Sequence, residues 1–526
     1  MKIRPSRAIF CLVLVLMISA ILGGVFGGQV RATTKGEEDV DTAMKHFSAI
    51  LGLVEENYAS DVDSDKAVYG AIDGMLRTLD PHSKFFDPKA FTSLREDQRG
   101  KYYGLGITVT TRFGKVTVVS PPFAGSPAEK VGLRVGDVIS QVNGEPTSGL
   151  DLNEVVSKLK GPRGTSVKIR VIRPGVDEPI EMNPIRDEIA KFTINNAYLI
   201  RPRIGYIKLE SFAETTGQEL RDGLRKLDVK NLDGLVFDLR NNPGGLLQEA
   251  IEVCETFLQK GQLIVETRGR TRGSNHPYAS QKLNTENTFP VVVLINPSSA
   301  SASEIVAGAL QDHDRALIVG QTSFGKGLVQ SVYPLSKNAG LALTTQKWYT
   351  PSGRLIQRDY SQISQFDYYN HRETAPPKKD DIKHPDIGRI VYGGGGVTPD
   401  YIVEEPKITD FQNMLAGKYA FYTFVRDFLA KNPQLDQSFQ VSDALADQFK
   451  QHITKRGLQF TEKDFQDNKD YIKRAIKYEI FYNRFGVSDA ARVLLEGDPQ
   501  VSKAIDLIPE AKDLASKARR QLAEKR

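Results

Sequence analysis

Apolar residues recur along this chain at two spacings, and the changes of spacing divide it. From about Asp41 to Gly100 they return every three or four positions, in DTAMKHFSAILGLVEENY and AVYGAIDGMLRTLD, which predicts a helical arm. Between about Gly104 and Arg173 short alternating runs with turn punctuation take over, and one helical DLNEVVSKLKG interrupts them. From Ile204 to about Tyr401 strands alternate with helices: RIGYIKLESF, ETTGQELRDGLRKLD, DGLVFDLR, GLLQEAIEVCETFLQKG, FPVVVLIN, ASEIVAGALQD and RALIVG. Such alternation predicts a largely parallel sheet covered by helices. Beyond Pro406 the pattern is charge-rich and helical, which reads as a solvated appendage.

One run breaks both spacings. Ala8 to Phe26 is almost purely apolar and follows Lys2, Arg4 and Arg7, the order of charge and hydrophobe found in an export signal. Val30-Arg31-Ala32 offers a small-residue cleavage site, while the run is nearly long enough to span a membrane. A cleaved signal peptide and a retained inner-membrane anchor are both consistent with it, and either places the rest of the chain in the periplasm or another extracytoplasmic space.

Composition adds little to this picture. The 526 residues suggest three or four domains, and a net charge of +5 gives no field for nucleic acid. Of two cysteines, Cys11 lies in the export run, so the exported part has only Cys254 and no internal disulfide; its helical, apolar context predicts a buried thiol. No His/Cys cluster has metal-ligand spacing, so neither metal nor cofactor is expected.

The alternating region resembles a PDZ domain on the strength of Gly104-Leu105-Gly106-Ile107, Ser126-Pro127-Ala128, Gly132-Leu133-Arg134-Val135-Gly136-Asp137 and Val142-Asn143-Gly144. Gly104 and Gly106 leave backbone N–H groups available to a terminal carboxylate, and the edge strand beyond them can receive a peptide. No third glycine opens a helix there, which argues against a dinucleotide loop.

Open α/β sheets gather ligands at the carboxyl ends of their strands. The loops at those ends read Asn241-Asn242-Pro243-Gly244-Gly245, Pro297-Ser298-Ser299-Ala300-Ser301-Ala302-Ser303-Glu304 and Gln321-Thr322-Ser323-Phe324-Gly325-Lys326-Gly327. VVVLI, ASEIVAGAL and ALIVG form one β-α-β unit, whose right-handed crossover brings Ser301 and Lys326 to the same end of the sheet. A serine hydroxyl needs a base, and a lysine serves only if burial keeps it neutral; Gln321 to Gln330 holds no charge besides Lys326. Gly244, Gly245 and Ala302 are candidate backbone donors to an oxyanion.

DLRNNPGG, SASASEIVAGALQD, SFGKGLVQ, LTTQKWYTPSGR and GGGGVTPD closely resemble the C-terminal processing peptidases, or tail-specific proteases, across roughly Asp41 to Tyr401. That resemblance implies a serine endopeptidase with Ser301 as nucleophile, Lys326 as base and Gln330 completing the triad. Gly244 and Gly245 fall in its oxyanion hole, and Glu304, Asp312 and Ser323 in supporting places. Gln330 rests on the resemblance alone, because a straight strand would hold it about 13 Å from Lys326.

The expected architecture is therefore α/β and α+β multidomain. Residues 1–32 form the signal or anchor, 41–100 a helical N-terminal region, 101–175 a PDZ domain, 176–405 an α/β serine-peptidase core and 406–526 a helical C-terminal extension. Expected partners are proteins or peptides with free, apolar C-termini. A homo-oligomer through the N-terminal helices and membrane anchorage are left open, and no nucleic acid is expected.

Rival readings are weaker. The serine cluster could serve only as a helix N-cap. Gly320 to Lys326 fits the start of a phosphate loop, yet Gly327 replaces the Ser/Thr and a strand follows where a helix should begin. Ser323-x-x-Lys326 lacks the S-D-N and K-T-G companions of penicillin-interacting enzymes. His313, between two aspartates, lies about three helical turns from Ser301 and reads as a surface turn residue, while His82 in LDPHS reads as a turn or cap residue. An inactive peptide-binding scaffold is the non-enzymatic alternative.

Overall fold

The structure is a computed structural model that describes residues 35–283, 287–370 and 381–524. Residues 1–32, expected from the sequence to form a signal peptide or membrane anchor, lie outside the described residues. Among those described, no helix is long and apolar enough to cross a membrane.

The chain divides into two units after Leu79. In the first, α1 (Lys35–Asn57) is followed by α2 (Ser64–Arg77), whose N-cap Asp63 accepts from the Lys66 N–H at 3.1 Å. Val40, Met44, Phe47, Ile50, Leu53 and Val54 of α1 are exposed.

The second unit, Asp80 to Arg526, opens with a short strand, β1 (Lys84–Phe86), and the helix Pro88–Arg99. The sequence spacing assigns residues 80–100 to the helical arm, but β1 belongs to the second unit, and a three-residue strand is too short for any period to register. The PDZ region follows as β2 (Val109–Arg112), β3 (Lys115–Val118), β4 (Val138–Val142), the helix α3 (Leu152–Leu159), β5 (Ile169–Ile172) and β6 (Ile180–Met182). These five strands form one antiparallel sheet in chain order, closed over Leu105, Val118, Ile139, Val155 and Ile169. Lys101–Gly104 pairs antiparallel with Asp187–Ala190, so the strands entering and leaving the module are zipped into a neck.

The central sheet is built from β7 (Asn196–Arg201), β8 (Ile204–Lys208), β9 (Gly234–Asp238), β12 (Val291–Ile295), β13 (Ala316–Gly320) and β16 (Tyr401–Ile402), in that spatial order. Every pairing is parallel except β7 with β8. Three crossover segments supply α4 (Thr216–Lys226), α5 (Leu247–Glu255) and α6 (Ala302–Asp312). A second, antiparallel sheet lies outside the alternation read from the sequence. It joins β1 and β10 (Leu263–Gly269) to β15 (Gly340–Tyr349), with β11 (His276–Ala279) beyond β10 and β14 (Leu328–Pro334) also paired to β15.

Both faces of the central sheet are buried, and the two-residue side-chain period assigns them. Leu235, Phe237, Val291, Val293 and Ile318 pack against α4, α5 and α6, together with the buried thiol of Cys254. Val236, Val292, Leu294, Leu317 and Val319 face the other way and meet Val501, Ala504, Leu507, Ile508, Ala511 and Leu514. These last residues belong to α9 (Pro499–Asp506), its C-cap Leu507 and α10 (Ile508–Glu524), behind α7 (Asp443–Lys455) and α8 (Lys469–Arg484) in the chain. The expectation of a solvated appendage after Pro406 is thus corrected: α7 and α8 share their own core around Phe449, Phe465 and Ile476, and α9 and α10 form the second covering layer of the central sheet.

Candidate active site

Three loops converge at the carboxyl end of the central sheet, and side chain to backbone bonds lock them together. After β9, the Asn241 N–H donates to Asn296 Oδ1 (2.9 Å), and Ser299 Oγ, after β12, donates to the Leu239 carbonyl (2.8 Å). Ala300 N–H and Ser303 Oγ both donate to the Asn242 carbonyl at 3.0 Å. Ser301 then begins α6 with φ 56° and ψ −113°, a conformation that side-chain-bearing residues adopt only under constraint. Strain at a strand-to-helix turn carrying a nucleophile type is itself a functional signal.

The Ser301 turn abuts the glycine pair. A Cβ placed on Gly244 would lie 2.8 Å from Ser301 Cβ and 2.9 Å from the Ala302 nitrogen, and one on Gly245 would lie 2.1 Å from the Phe212 carbonyl oxygen. Only glycine fits at either position, at φ 95° and 150°. Their N–H groups differ: that of Gly244 donates to Asn242 Oδ1 (2.9 Å), whereas those of Gly245 and Ala302 meet no acceptor among the described residues.

Glu304, one turn into α6 and 1% exposed, ties the serine loop to the lysine loop. Its carboxylate accepts from the N–H groups of Ser301 (2.8 Å), Gly325 (2.7 Å) and Lys326 (2.9 Å) and from Ser323 Oγ (2.5 Å). Ser323 Oγ in turn accepts from Val397 N–H (2.7 Å). Burial raises the Glu304 carboxyl above its ordinary range, opposed by these four donors. The same burial lowers the Lys326 amine below its ordinary value, and the nearby charges of Glu304 and Asp80 only partly restore it.

Ser301, Ala302, Gly244, Gly245, Lys326 and Gln330 line one cleft of about 1470 Å³. Among the described residues no hydrogen bond joins Ser301 Oγ to Lys326 Nζ, or Lys326 Nζ to Gln330; the Gln330 amide donates to Thr344 Oγ1 (3.2 Å). β14 begins only at Leu328, so Lys326 lies in the loop before it and not on one straight strand with Gln330, and the register shift between Val329 and Gln330 leaves Thr345 of β15 as the extra residue beside them. Asp312 does not reach the cleft: it sits at the far end of α6, about 16 Å from Ser301 along the axis, and binds Arg354 and Ser352. His313, expected at the surface, is 9% exposed and bridges Asp386 (2.8 Å) and the Leu263 carbonyl (2.7 Å), because the α6 C-terminus is covered by the segments around both.

The PDZ region contributes Phe123 to Pro127 to the same cleft. The Gly104–Ile107 loop does not line it, but Ser126 does, and a Cβ on Gly106 (φ 75°) would lie 2.5 Å from Ser126 Cβ. The N–H groups of Leu105, Gly106 and Ile107 meet no acceptor among the described residues. His82 occupies a turn, its N–H on Asp80 Oδ1 (2.7 Å), with its ring between the hydroxyls of Tyr368 (3.0 Å) and Tyr369 (3.1 Å). Burial, and then the Lys326 charge, push the His82 imidazole down to about 3, so it is neutral at neutral pH. Sequence reasoning passed over Asp80 and Thr344, which sit behind Gln330; the neighbouring His82 and Ser83 were the available hint.

Residues 203–364 match peptidase family S41, 118–173 a PDZ domain, 27–90 the N-terminal domain of the activating protease CtpB, and 412–486 a family of unknown function. The carboxy-terminal-processing protease of Bartonella bacilliformis is 39% identical over 378 residues, 71% of this chain and 78% of that one. CtpB of Bacillus subtilis is 36% identical over 367 residues, 68% and 76% of the two chains. Among solved structures, the photosystem II D1 C-terminal processing protease aligns at 27% identity and a TM-score of 0.34, over 68% of this chain and 92% of its own. With relatives this similar over more than two thirds of their length, the chain belongs to peptidase family S41, among the PDZ-containing, serine-type carboxy-terminal processing peptidases.

Proposed function

We propose that this peptidase is an exported endopeptidase that cleaves proteins read through their free C-termini, with Ser301 as nucleophile and Lys326 as general base. The observation that carries this reading is the meeting of a strained serine, two unengaged backbone N–H groups and a half-buried, pKa-lowered lysine in one cleft. Neutral Lys326 takes the Ser301 proton as Oγ attacks the scissile carbonyl, and Gly245 and Ala302 N–H groups hold the resulting oxyanion. Gly244 permits the close approach to Ser301 while its own N–H braces the loop. The lysine ammonium then protonates the departing amine, and after activation by the same amine water releases the acyl group. Gln330 accepts from the Lys326 amine and aims its lone pair. This contact and the Ser301–Lys326 bond tighten in the complex with substrate, as catalytic hydrogen bonds often do.

Cleavage of an unfolded protein with an apolar C-terminus tests the assignment. Ser301→Ala and Lys326→Ala should each lower kcat/KM by at least about 10³-fold with the fold intact, and the double variant should be no worse. Lys326→Arg should be equally inactive, since guanidinium does not give up its proton. Near-normal cleavage by any of these overturns the roles.

Substrate capture belongs to the Leu105, Gly106 and Ile107 N–H groups, which suit a terminal carboxylate. Amidating the substrate's C-terminus should then raise KM, and unchanged cleavage would remove the loop from recognition. Export, with the basic end inside and the first segment cleaved or retained as an anchor, rests on residues 1–32 and is checked by fractionating cells that express the full chain. The exposed apolar residues of α1 favour pairing of two copies, so Phe47→Glu with Ile50→Glu should lower the mass seen in sedimentation.

A further inference from the structure

Gln330 and Thr344 face each other across β14 and β15, and behind Thr344 lies a carboxylate from a distant part of the sequence. Asp80, 8% exposed, accepts the N–H groups of His82 (2.7 Å) and Ser83 (2.8 Å) on Oδ1 and the Ser83 hydroxyl on Oδ2 (2.7 Å). Thr344 Oγ1 adds a fourth donor at 3.1 Å, and the Thr344 N–H donates to Ser83 Oγ (3.1 Å). The turn 80–83 is thereby stitched to β15 at the position opposite Gln330.

The polarity of this chain is forced. A carboxylate holding four donors offers none back, so the single Thr344 hydroxyl proton is committed to Asp80. Thr344 Oγ1 can then only accept, and it does so from Gln330 Nε2 at 3.2 Å. A carboxamide that presents its NH₂ on one side presents Oε1 on the other. We propose that Asp80 and Thr344 are positioning residues that fix the orientation of the Gln330 carboxamide, leaving Oε1 as the acceptor for Lys326. Reversed, the amide would offer donors to an amine that already has its own. The inference rests on the roles given above to Ser301, Lys326 and Gln330.

The test compares kcat, KM and pH–rate profiles for Gln330→Ala, Thr344→Val, Thr344→Ser and the double variant Gln330→Ala/Thr344→Val. Valine keeps the shape and strand preference of threonine but cannot receive the amide. Thr344→Val should lower kcat about tenfold with KM unchanged. It should also move the acidic limb of the profile to lower pH, because Lys326 ammonium loses an acceptor. Thr344→Ser should keep most of the activity, and Thr344→Val should add nothing once Gln330 is alanine. A Thr344→Val enzyme with normal kcat and an unmoved limb, or with its full loss on top of Gln330→Ala, overturns the proposal. Should Thr344→Val melt far below the parent, Asp80→Asn carries the test: its amide can donate to Thr344 and free the hydroxyl proton to turn toward Gln330, giving a fall in kcat that disappears once Gln330 is alanine, and a fall that persists there refutes the relay. An inert Gln330→Ala, or an active Ser301→Ala, would refute the underlying roles instead, whatever Thr344 does.

Discussion

Glu304 shows how much of a site can hang on one side chain. Four donors from two loops end on its carboxylate, so Glu304→Gln must turn an NH₂ toward at least one N–H or hydroxyl. We expect a loss of about 2 kcal/mol in chemical denaturation and a larger loss in kcat than in KM, since Ser301 and Lys326 are both displaced. Ser301 itself holds a strained backbone, and relieving it should separate stability from activity. Ser301→Gly should be inactive yet more stable than Ser301→Ala by about 1 kcal/mol, measured as the difference between their unfolding midpoints. For Lys326, the lowered folded-state pKa disfavours the charged form in the fold. The rate should therefore rise with pH along the lysine ionisation. The matching stability penalty builds up as pH falls from the ordinary lysine value of 10.5 to the lowered one and stays complete below it; a rate that climbs toward acid would contradict the assignment. That Ser301 and Lys326 line one cleft was legible because loop position at the sheet's carboxyl end can be read from strand order. Glu304 was placed only by resemblance, since an acid in the first turn of a helix looks the same whether it caps its own helix or bridges to another loop.

Among the elements, the parallel order around β12, α6 and β13 follows directly from the alternation of VVVLI, ASEIVAGAL and ALIVG. The antiparallel sheet was illegible for a physical reason: β1, β10 and β15 come from residues 84–86, 263–269 and 340–349, and no local period reports a partner so far away. Gln330 illustrates the cost of that gap, because the register shift beside it arises in the pairing with β15 and not in its own sequence. The pairing also sets a tight contact between β15 and the helix Pro88–Arg99. A Cβ on Gly340 would fall 2.2 Å from the Phe91 ring, so Gly340→Ala should cost about 2 kcal/mol and lower the melting temperature. An unchanged melting temperature would show that the helix can retreat at no cost.

At the scale of the whole second unit, the extension is the part read least well. Its apolar positions at Val501, Ala504, Ile508, Ala511 and Leu514 do keep helical spacing, but a stripe does not name what it covers. Here it covers the catalytic sheet, and a polar clasp reinforces the contact. Arg240, in the loop that carries Gly244 and Gly245, donates to Asp238 (2.7 Å), Asp498 (2.7 Å) and Gln500 (2.8 Å), and Asp498 also caps α9. Burial alone would raise the Asp238 carboxyl, yet the Arg240 guanidinium holds it below its ordinary value. Asp498→Ala removes one arm of the clasp and the cap together, and should cost about 2–4 kcal/mol in unfolding while loosening the Gly244–Gly245 loop. Stability equal to the parent would mean that the clasp is neutral.

The placement of α9 and α10 also sets a timetable. Ribosomes deliver the chain from its first residue, so Ser301, Lys326 and both glycines emerge while Val236, Val292, Leu294 and Val319 still lack their cover. A nascent chain that has reached Ile402 has every strand of the central sheet and only one of its two helical layers. The layer that covers the second face of the central sheet is therefore the last to be supplied. Chains stalled short of residue 499 should be protease-sensitive and inactive, and chains extended past Leu514 should gain resistance and activity together.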